Sequence, residues 1–179
     1  MMKYEVFGPF CLPRAKNAHG NLTLNLSIHT IKKFWVEVEK RHQDLSNAVG
    51  CYIFGVEHGK TINPWYIGQA KKNFKDECLA DHKRDKYRTV MDDVRRGKPV
   101  LIFVARLTDT GKFKGKLAKD EAKFVENKLI HSALILNPSL KNVRSTKFLH
   151  EVQVPGFLQI GPGQPSEGAK LLKKTLGLG

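Results

Sequence analysis

The stretches Gly50-Cys51-Tyr52-Ile53-Phe54-Gly55-Val56 and Trp65-Tyr66-Ile67-Gly68-Gln69 decide the fold of this chain. Both are rich in β-branched and aromatic residues and have the length of a single strand. The segment between them contains His58-Gly59-Lys60 and Asn63-Pro64, which are typical of turns. The pattern therefore predicts a β-hairpin. Because alternate side chains share a face of such a hairpin, it also predicts Tyr52 and Tyr66 on one side.

Helical and strand patterns alternate after the hairpin. Apolar residues recur at helical spacing over 74–82 and continue over 87–94, up to a stop at Gly97 and Pro99. The apolar run at 100–105 predicts a strand that is buried on both faces. A helical stripe over 117–136 predicts a long helix, which Asn137-Pro138 ends.

The two flanks of this central region carry elements of their own. Leu22, Leu24 and Leu26 alternate as in a half-buried strand, and residues 27–47 predict an amphipathic helix that Ser27 or Thr30 caps. The C-terminal flank predicts a strand over 148–154 and a last helix that begins after Ser166. We therefore expect an N-terminal extension (1–48) that packs on the core, a central domain (49–145) and a C-terminal extension (146–179), all in one compact globular unit.

The charge of the chain favours a polyanionic partner. It has 31 lysines and arginines against 17 aspartates and glutamates, which gives a net charge of +14. The excess of positive charge is spread along the chain, and only the segment 49–70 has none. Nucleic acid is the partner that such a balance favours. No run approaches the ~20 apolar residues of a membrane span, and the N-terminus breaks too early for a signal peptide. Three widely spaced cysteines without a Cys-x-x-Cys motif indicate a reducing, cytoplasmic location.

Glu126 is the unusual residue of the long helix. Its helical neighbours include Ala122, Leu129 and Ile130, so the carboxylate lies at the edge of the buried stripe. A partly buried carboxylate needs a partner, and a divalent cation is one candidate.

The order Gly-x-Tyr at Gly50–Tyr52, Tyr-Ile-Gly at Tyr66–Gly68, helix, strand, helix with Glu126 and then Asn142 resembles the GIY-YIG nuclease superfamily, as a divergent member. The resemblance covers about residues 49–145. It implies an α+β fold with a small, mainly antiparallel three-stranded sheet flanked by helices. The N-terminal helix and the C-terminal strand and helix would be extensions of that fold.

The resemblance also implies a chemistry, the one-metal hydrolysis of a phosphodiester in nucleic acid by an endonuclease, for which we expect DNA as the substrate rather than RNA. Glu126 would hold Mg²⁺ or Mn²⁺. Tyr52 would activate or position the attacking water, and Tyr66 would support it and contact phosphate. Asn142 would orient the helix that carries Glu126, or the site around it. Such a reaction needs positive charge at the phosphate oxygens and an activated water.

The chain departs from the family pattern in two places. Cys51 stands where isoleucine is usual, a small change since cysteine packs as a small hydrophobe. The arginine that the family carries on its first helix is absent, because its position falls on residues 76–78, Asp-Glu-Cys. We keep Glu77 as a second carboxylate of a variant metal site and His82 as a further catalytic candidate, although both also suit a solvated helix surface.

Several basic residues are candidates to supply the missing charge or to bind nucleic acid. The nucleic-acid-binding set that we expect is Lys71, Lys72, Lys75, Lys83, Arg84, Lys112, Lys114 and Asn142. Two alternatives to an active nuclease stay open. One is a catalytically impaired nucleic-acid-binding module of the same fold, and the other is a protein-interaction domain that uses the helix at 27–47.

Overall fold

The computed structural model describes residues 2–18, 20, 22–94, 96–142 and 166–176. In chain order its elements are β1 (Lys3–Cys11), β2 (Arg14–Lys16), β3 (Leu22–Leu24), α1 (Ile28–Arg41), a 3₁₀ turn (Leu45–Asn47), β4 (Gly50–His58), β5 (Thr61–Ala70), α2 (Phe74–Glu77), α3 (Asp81–Val94), β6 (Lys98–Leu107), α4 (Lys119–Leu136) and α5 (Glu167–Thr175).

The main sheet is antiparallel and has four strands in the order β1-β6-β4-β5, beside a small β2-β3 ribbon. The α+β class is confirmed, but the sheet has one strand more than the three we expected. The added strand is β1, whose residues show no clear strand pattern. Its register shifts between Phe7 and Phe10, where Gly8-Pro9 lies, so no regular alternation runs along the strand.

The predicted hairpin is confirmed, with a tighter turn than expected. Only Gly59 and Lys60 separate β4 from β5, so Asn63-Pro64 lies inside the second strand. The register shifts there, because Phe54 pairs with Tyr66 whereas Gly55 pairs with Pro64. Proline is tolerated at such a bulge because β5 is an edge strand of the described sheet.

Two layers of helices cover the sheet. One face packs with α1, α2 and α3 into the larger core, where Phe54 stacks on Tyr87 at a ring-centroid distance of 4.1 Å. On the opposite face Ile67 packs against Ile130 and Leu134 of α4. The sheet therefore separates the two layers, and β5 forms one of its outer edges.

The helical pattern after the hairpin proves to be two helices instead of one. Asn73 caps α2 by accepting a hydrogen bond from the Asp76 main-chain N–H at 2.7 Å. The Tyr87 hydroxyl donates to the Cys78 carbonyl oxygen at 2.8 Å. In a continuous helix that carbonyl would accept from the N–H of His82, and the buried bond from Tyr87 satisfies it instead where the helix is interrupted.

The remaining sequence expectations have different outcomes. Ser27 caps α1 through the Thr30 N–H, and Ser166 caps α5 through the Ala169 N–H, as predicted. The strand expected at 148–154 lies outside the described residues. None of the described helices has the length and apolar character needed to cross a bilayer.

Candidate functional site

The two motif tyrosines share one face of the hairpin, as predicted. Tyr52 pairs with Gly68 across β4 and β5, and Phe54 pairs with Tyr66, so the two phenols lie diagonally on neighbouring strands. Their ring centroids are 6.3 Å apart. Both rings face the α3 side of the sheet, where Tyr66 lies 6.2 Å from Tyr87.

Tyr52 is a core residue. Its side chain is fully buried, and its hydroxyl lies close to the phenol groups of Tyr66 and Tyr87. Burial raises the pKa of Tyr52 far above the usual range, and the nearby phenols of Tyr87 and Tyr66 add to the shift. The ring lies directly over Gly68, where a Cβ atom would come 2.5 Å from the Tyr52 Cζ. The glycine of the Tyr-Ile-Gly motif is therefore required because the ring of Tyr52, the tyrosine of Gly-x-Tyr, occupies the space that a side chain at position 68 would need.

Gly50, the glycine of the first motif, is required for a related reason. A Cβ atom on this residue would overlap the Val104 carbonyl oxygen of the neighbouring strand β6. Gly50 thus allows β4 and β6 to approach closely, Gly68 makes room for the Tyr52 ring, and neither glycine needs a catalytic role to explain its presence.

Tyr66 lies next to two lysines of α3. The Lys83 ammonium donates a hydrogen bond to the Tyr66 hydroxyl, and the ammonium groups of Lys83 and Lys86 each lie 4.8 Å from the centre of its ring. Burial raises the pKa of Tyr66, although the positive charge of Lys86 acts the other way. Tyr66 is therefore a neutral phenol at physiological pH, held against two positive charges.

Glu126 reaches the same edge of β5 from the other layer. Gln69 follows Gly68 in β5, so its side chain points to the α4 face, where its Nε2 donates to Glu126 Oε2 at 2.8 Å. Burial raises the pKa of Glu126, while the hydrogen bond from Gln69 and the charges of Lys83 and Lys71 act against this shift.

Lys83 connects the two halves of the site. Burial lowers the pKa of this lysine, and the negative charges of Glu126 and Glu77 oppose the change. The same two carboxylates raise the pKa of Tyr66, so both lie within electrostatic range of the Tyr66–Lys83 pair. We call Tyr66, Gln69, Lys83 and Glu126 the β5-edge cluster.

The remaining catalytic candidates are placed differently. Glu77 is half-buried at the end of α2 and faces the cluster closely enough to raise the pKa of Tyr52. His82 is exposed in the first turn of α3 and makes no hydrogen bond or ion pair with the described residues. The structure thus groups Glu77 with the cluster and leaves His82 at the surface.

Asn142 is buried and holds the main chain of β5. Its side-chain oxygen accepts from the Ile67 N–H at 2.9 Å, and its Nδ2 donates to the Ile67 carbonyl at 2.6 Å. The neighbouring Lys141 N–H donates to the Trp65 carbonyl at 2.8 Å. Asn142 therefore positions the segment after α4 along the β5 edge, and the surface contact with nucleic acid that we expected of it does not fit this burial.

Arg84 is turned away from the cluster. Its guanidinium donates to the Leu26 carbonyl and pairs with Asp81. This arginine ties α3 to the segment before α1. Among the basic candidates on α3, it is thus Lys83 that reaches the Tyr66 hydroxyl.

The other basic candidates lie at one end of the sheet. Gly50 pairs with both Ala70 and Ala105, so the chain segments that follow β5 and β6 leave the same end of the sheet, on either side of the start of β4. These segments carry Lys71, Lys72 and Lys75 after β5 and Lys112 and Lys114 after β6, all exposed except the half-buried Lys114.

The sequence reasoning missed Gln69 and Lys86. Lys86 was recognisable in principle, since it lies one helical turn after Lys83 and on the same face. Gln69 follows the Tyr-Ile-Gly motif directly, and strand alternation alone places it opposite Tyr66 and toward α4. Its Oε1 is buried and accepts no hydrogen bond from the described residues.

The donor set suits a divalent cation held by few protein ligands. In the described part of the chain no three His, Cys, Asp or Glu side chains converge. Glu126 keeps one oxygen, Oε1, that accepts no hydrogen bond there. Mg²⁺ commonly binds through one or two carboxylates and completes its shell with water and substrate phosphate. Glu126 could supply one such carboxylate.

Comparison of the chain with protein-family models, with curated proteins and with solved structures found no match in any of the three. The GIY-YIG resemblance thus stays a prediction that rests on the residues and their arrangement.

Proposed function

We propose that the chain is a Mg²⁺- or Mn²⁺-dependent DNA endonuclease of the GIY-YIG kind, in which Lys83 takes the place of the helix arginine. The observation that carries the proposal is the position of Lys83. Its ammonium donates to the Tyr66 hydroxyl and lies within electrostatic range of Glu126. A phenol and a cation from two elements thus meet at the edge strand, and a carboxylate from a third element lies within electrostatic range of them.

Each member of the cluster has a distinct role in this proposal. Glu126 holds the cation, and Gln69 fixes the direction of its carboxylate. Lys83 supplies positive charge to the phosphate oxygens, where charge grows in the transition state. Tyr66 fixes Lys83 and, because burial raises its pKa, keeps its proton for donation to a phosphate oxygen or to water. The bound cation would add Lewis-acid charge and activate a water.

The burial of Tyr52 changes the role that the resemblance implies for it. A hydroxyl without solvent contact is badly placed to activate a water molecule. We infer that Tyr52 supports Tyr66 from beneath and takes no proton during the reaction. The water-activating role then falls to the groups at the β5 edge.

A second candidate function is metal-independent binding of nucleic acid. It is favoured by the charge balance around Lys83, which lies near both Glu126 and Glu77 and can neutralise part of their charge without a metal. Lysine is also a point charge and lacks the planar fork of arginine that binds phosphate bidentately.

A plasmid-nicking assay with Mg²⁺ or Mn²⁺ tests the proposal on the wild type, Glu126→Gln and Lys83→Met. Glu37→Gln is the matched control, because Glu37 is an exposed carboxylate on α1. We expect losses of about 10²–10³-fold for each site variant, the cost typical of removing one preorganised charge. The control should cleave at the wild-type rate, and Lys83→Arg should retain activity.

Equal cleavage by the wild type and Glu126→Gln would refute the proposal. Absence of cleavage by the wild type, together with salt-sensitive DNA binding that needs no metal, would favour the binding module. Parallel reactions on DNA and RNA duplexes of the same sequence decide between the two substrates.

A further inference from the structure

The main sheet has two outer edges, and the segment after α4 covers one of them. Beside β5, the Lys141 N–H donates to the Trp65 carbonyl oxygen, and the Asn142 side chain bonds both main-chain groups of Ile67. β1 forms the other edge, where the described part of the chain adds no further strand. Such an edge presents main-chain donors and acceptors to another chain. We call the outer side of residues 2–7 the open β1 edge.

The direction of the residues in β6 follows from a hydrogen bond near its end. The Arg106 main-chain N–H donates to the Val49 carbonyl oxygen at 2.9 Å, next to the start of β4. The main-chain groups of Arg106 thus face β4. Since successive residues of an antiparallel strand direct these groups to its two neighbours in turn, Ala105 and Leu107 face β1.

The same alternation determines which residues of β1 face outward. The partners of Ala105 and Leu107 in β1 are Glu5 and Lys3, so these two direct their main-chain groups toward β6. The residue between them, Tyr4, therefore directs its N–H and its carbonyl oxygen to the open β1 edge. Residues 2 and 6 do the same by continuation of the alternation.

The side chains along this edge complement their own sequence in reverse order. The segment reads Met2-Lys3-Tyr4-Glu5-Val6. When two copies run antiparallel with Tyr4 opposite Tyr4, the Lys3 of each copy lies opposite the Glu5 of the other, and Met2 lies opposite Val6. Met2 and Val6 are 65% and 66% exposed. Lys3 and Glu5 are exposed as well and form no ion pair with the described residues.

The main chain favours the same register as the side chains. The pairs Tyr4–Tyr4 and Met2–Val6 join residues that face outward, so each pair can exchange two hydrogen bonds, about six in all. The two Lys3–Glu5 pairs then lie between them, at positions where opposite Cα atoms are only about 4.5 Å apart. A register shifted by one residue would place outward-facing residues opposite inward-facing ones and lose these bonds.

The open β1 edge is short, because the register with β6 shifts between Phe7 and Phe10. Pro9, inside this irregularity, has no N–H to offer. Its carbonyl oxygen accepts from the Arg41 guanidinium at 3.2 Å. The available edge thus suits a contact that two copies make with the same residues and that closes on itself.

We propose that two copies of this chain associate through the open β1 edge, antiparallel and with Tyr4 at the two-fold axis. The two sheets then join into one, with the two β5 strands outermost, so that each copy keeps its β5-edge cluster uncovered. This interface goes beyond the proposed function and does not depend on it. Interfaces below about 1,200 Å² belong mostly to weak complexes, so we expect a dissociation constant in the micromolar range.

Analytical ultracentrifugation of the wild type from about 1 to 300 µM brackets such a constant. Two charge variants test the register. Lys3→Glu and Glu5→Lys each place like charges opposite one another in both pairs, so each variant alone should associate about tenfold more weakly than the wild type. An equimolar mixture of the two variants has opposite charges in both pairs. The mixture should therefore associate about as tightly as the wild type.

Substitutions of Val6 test the edge itself. Val6→Pro removes a donor that faces the open β1 edge and breaks no bond to β6, and Val6→Lys places a charge opposite Met2. Both variants should weaken association by about tenfold or more, the cost of losing contacts worth about 1.4 kcal/mol. The matched control is Val36→Lys on α1, since Val36 is also exposed. Circular dichroism and the Tm of each variant report whether it keeps the fold.

Three results would overturn the inference. The first is a wild type that remains a monomer at the highest concentration, which would show that the edge stays unpaired or is covered by the chain itself. The second is a mixture of Lys3→Glu and Glu5→Lys that associates no more tightly than either variant alone. The third is a dimer that Val6→Pro and Val6→Lys leave unchanged. Loss of plasmid nicking with the dimer retained would count against the endonuclease proposal alone.

Discussion

The contact between Gly68 and Tyr52 gives a sharp prediction for Gly68→Ala. The added Cβ would lie 2.5 Å from the Tyr52 Cζ, whereas ordinary carbon contacts are about 3.5–4.0 Å. The ring must therefore shift by about 1 Å from its place in a fully packed core. Overpacking of this kind typically costs about 1–3 kcal/mol, and we expect the upper end because Tyr52 is fully buried.

Chemical and thermal denaturation measure this cost. A loss of about 3 kcal/mol corresponds to a fall in Tm of about 9 °C for a chain of this length. The matched control is Gly115→Ala, because a Cβ at Gly115 meets no atom within 4 Å. The control should change the free energy of unfolding by less than about 0.5 kcal/mol.

A double-mutant cycle with Tyr52→Leu isolates the contact itself. Each single substitution should destabilise the protein, but the smaller leucine leaves room for the methyl group that Gly68→Ala adds. The double variant should therefore be more stable than the sum of the two losses predicts, by a coupling energy of about 2 kcal/mol. This explanation of the motif glycine would be refuted if the two losses of stability simply added in the double variant. It would also be refuted if the Gly68→Ala variant had the same Tm as the Gly115→Ala control.

Buried polar groups give three more predictions. Tyr52→Phe removes a buried hydroxyl that has no partner in good hydrogen-bond geometry, although the Tyr66 and Tyr87 phenols are close, so it should change the free energy of unfolding by less than about 1 kcal/mol and keep cleavage within a few-fold of wild type. Asn142→Ala leaves two main-chain groups of β5 without these partners and should cost about 3 kcal/mol in urea denaturation. Burial would raise the pKa of Glu121, but hydrogen bonds from Arg106 and Tyr4 outweigh it and leave the pKa below the usual value. The stabilisation that ionised Glu121 provides is therefore fully present above the pKa that this carboxyl has in the unfolded chain. It is lost as the pH falls through the lower pKa that the carboxyl has in the folded protein, so Glu121→Gln should flatten the acid limb of a stability–pH profile.

The parts of the fold that could be predicted from the sequence are those set by local chemistry. The hairpin is marked by two short runs of β-branched and aromatic residues around a turn, and Ser27 and Ser166 cap their helices through neighbours three residues away. The helix break after Cys78 could not be predicted, because the apolar spacing continues across it. A tertiary hydrogen bond from Tyr87 is what occupies the Cys78 carbonyl.

The candidate site was predictable as a set of residues but not as an arrangement. Alternation places Tyr52 and Tyr66 on one face, yet it cannot show that the central strand buries Tyr52 completely while Tyr66 lies at the edge. Several cations of the sequence were also equal candidates to replace the missing arginine. Lys83 and Arg84 are neighbours on α3, and only their directions, toward Tyr66 and toward Leu26, separate them.

The edge position of β5 in the described sheet is what allows this arrangement to form. Tyr66 and Gln69 point to opposite faces of the sheet, so on a central strand α3 and α4 would be separated by the sheet itself. At the edge, Lys83 can approach Tyr66 from one layer while Glu126 approaches Gln69 from the other. Under the proposed function, the same geometry would let Lys83 stand in for the family's arginine, since its ammonium has three donors and only one of them is needed for the Tyr66 hydroxyl.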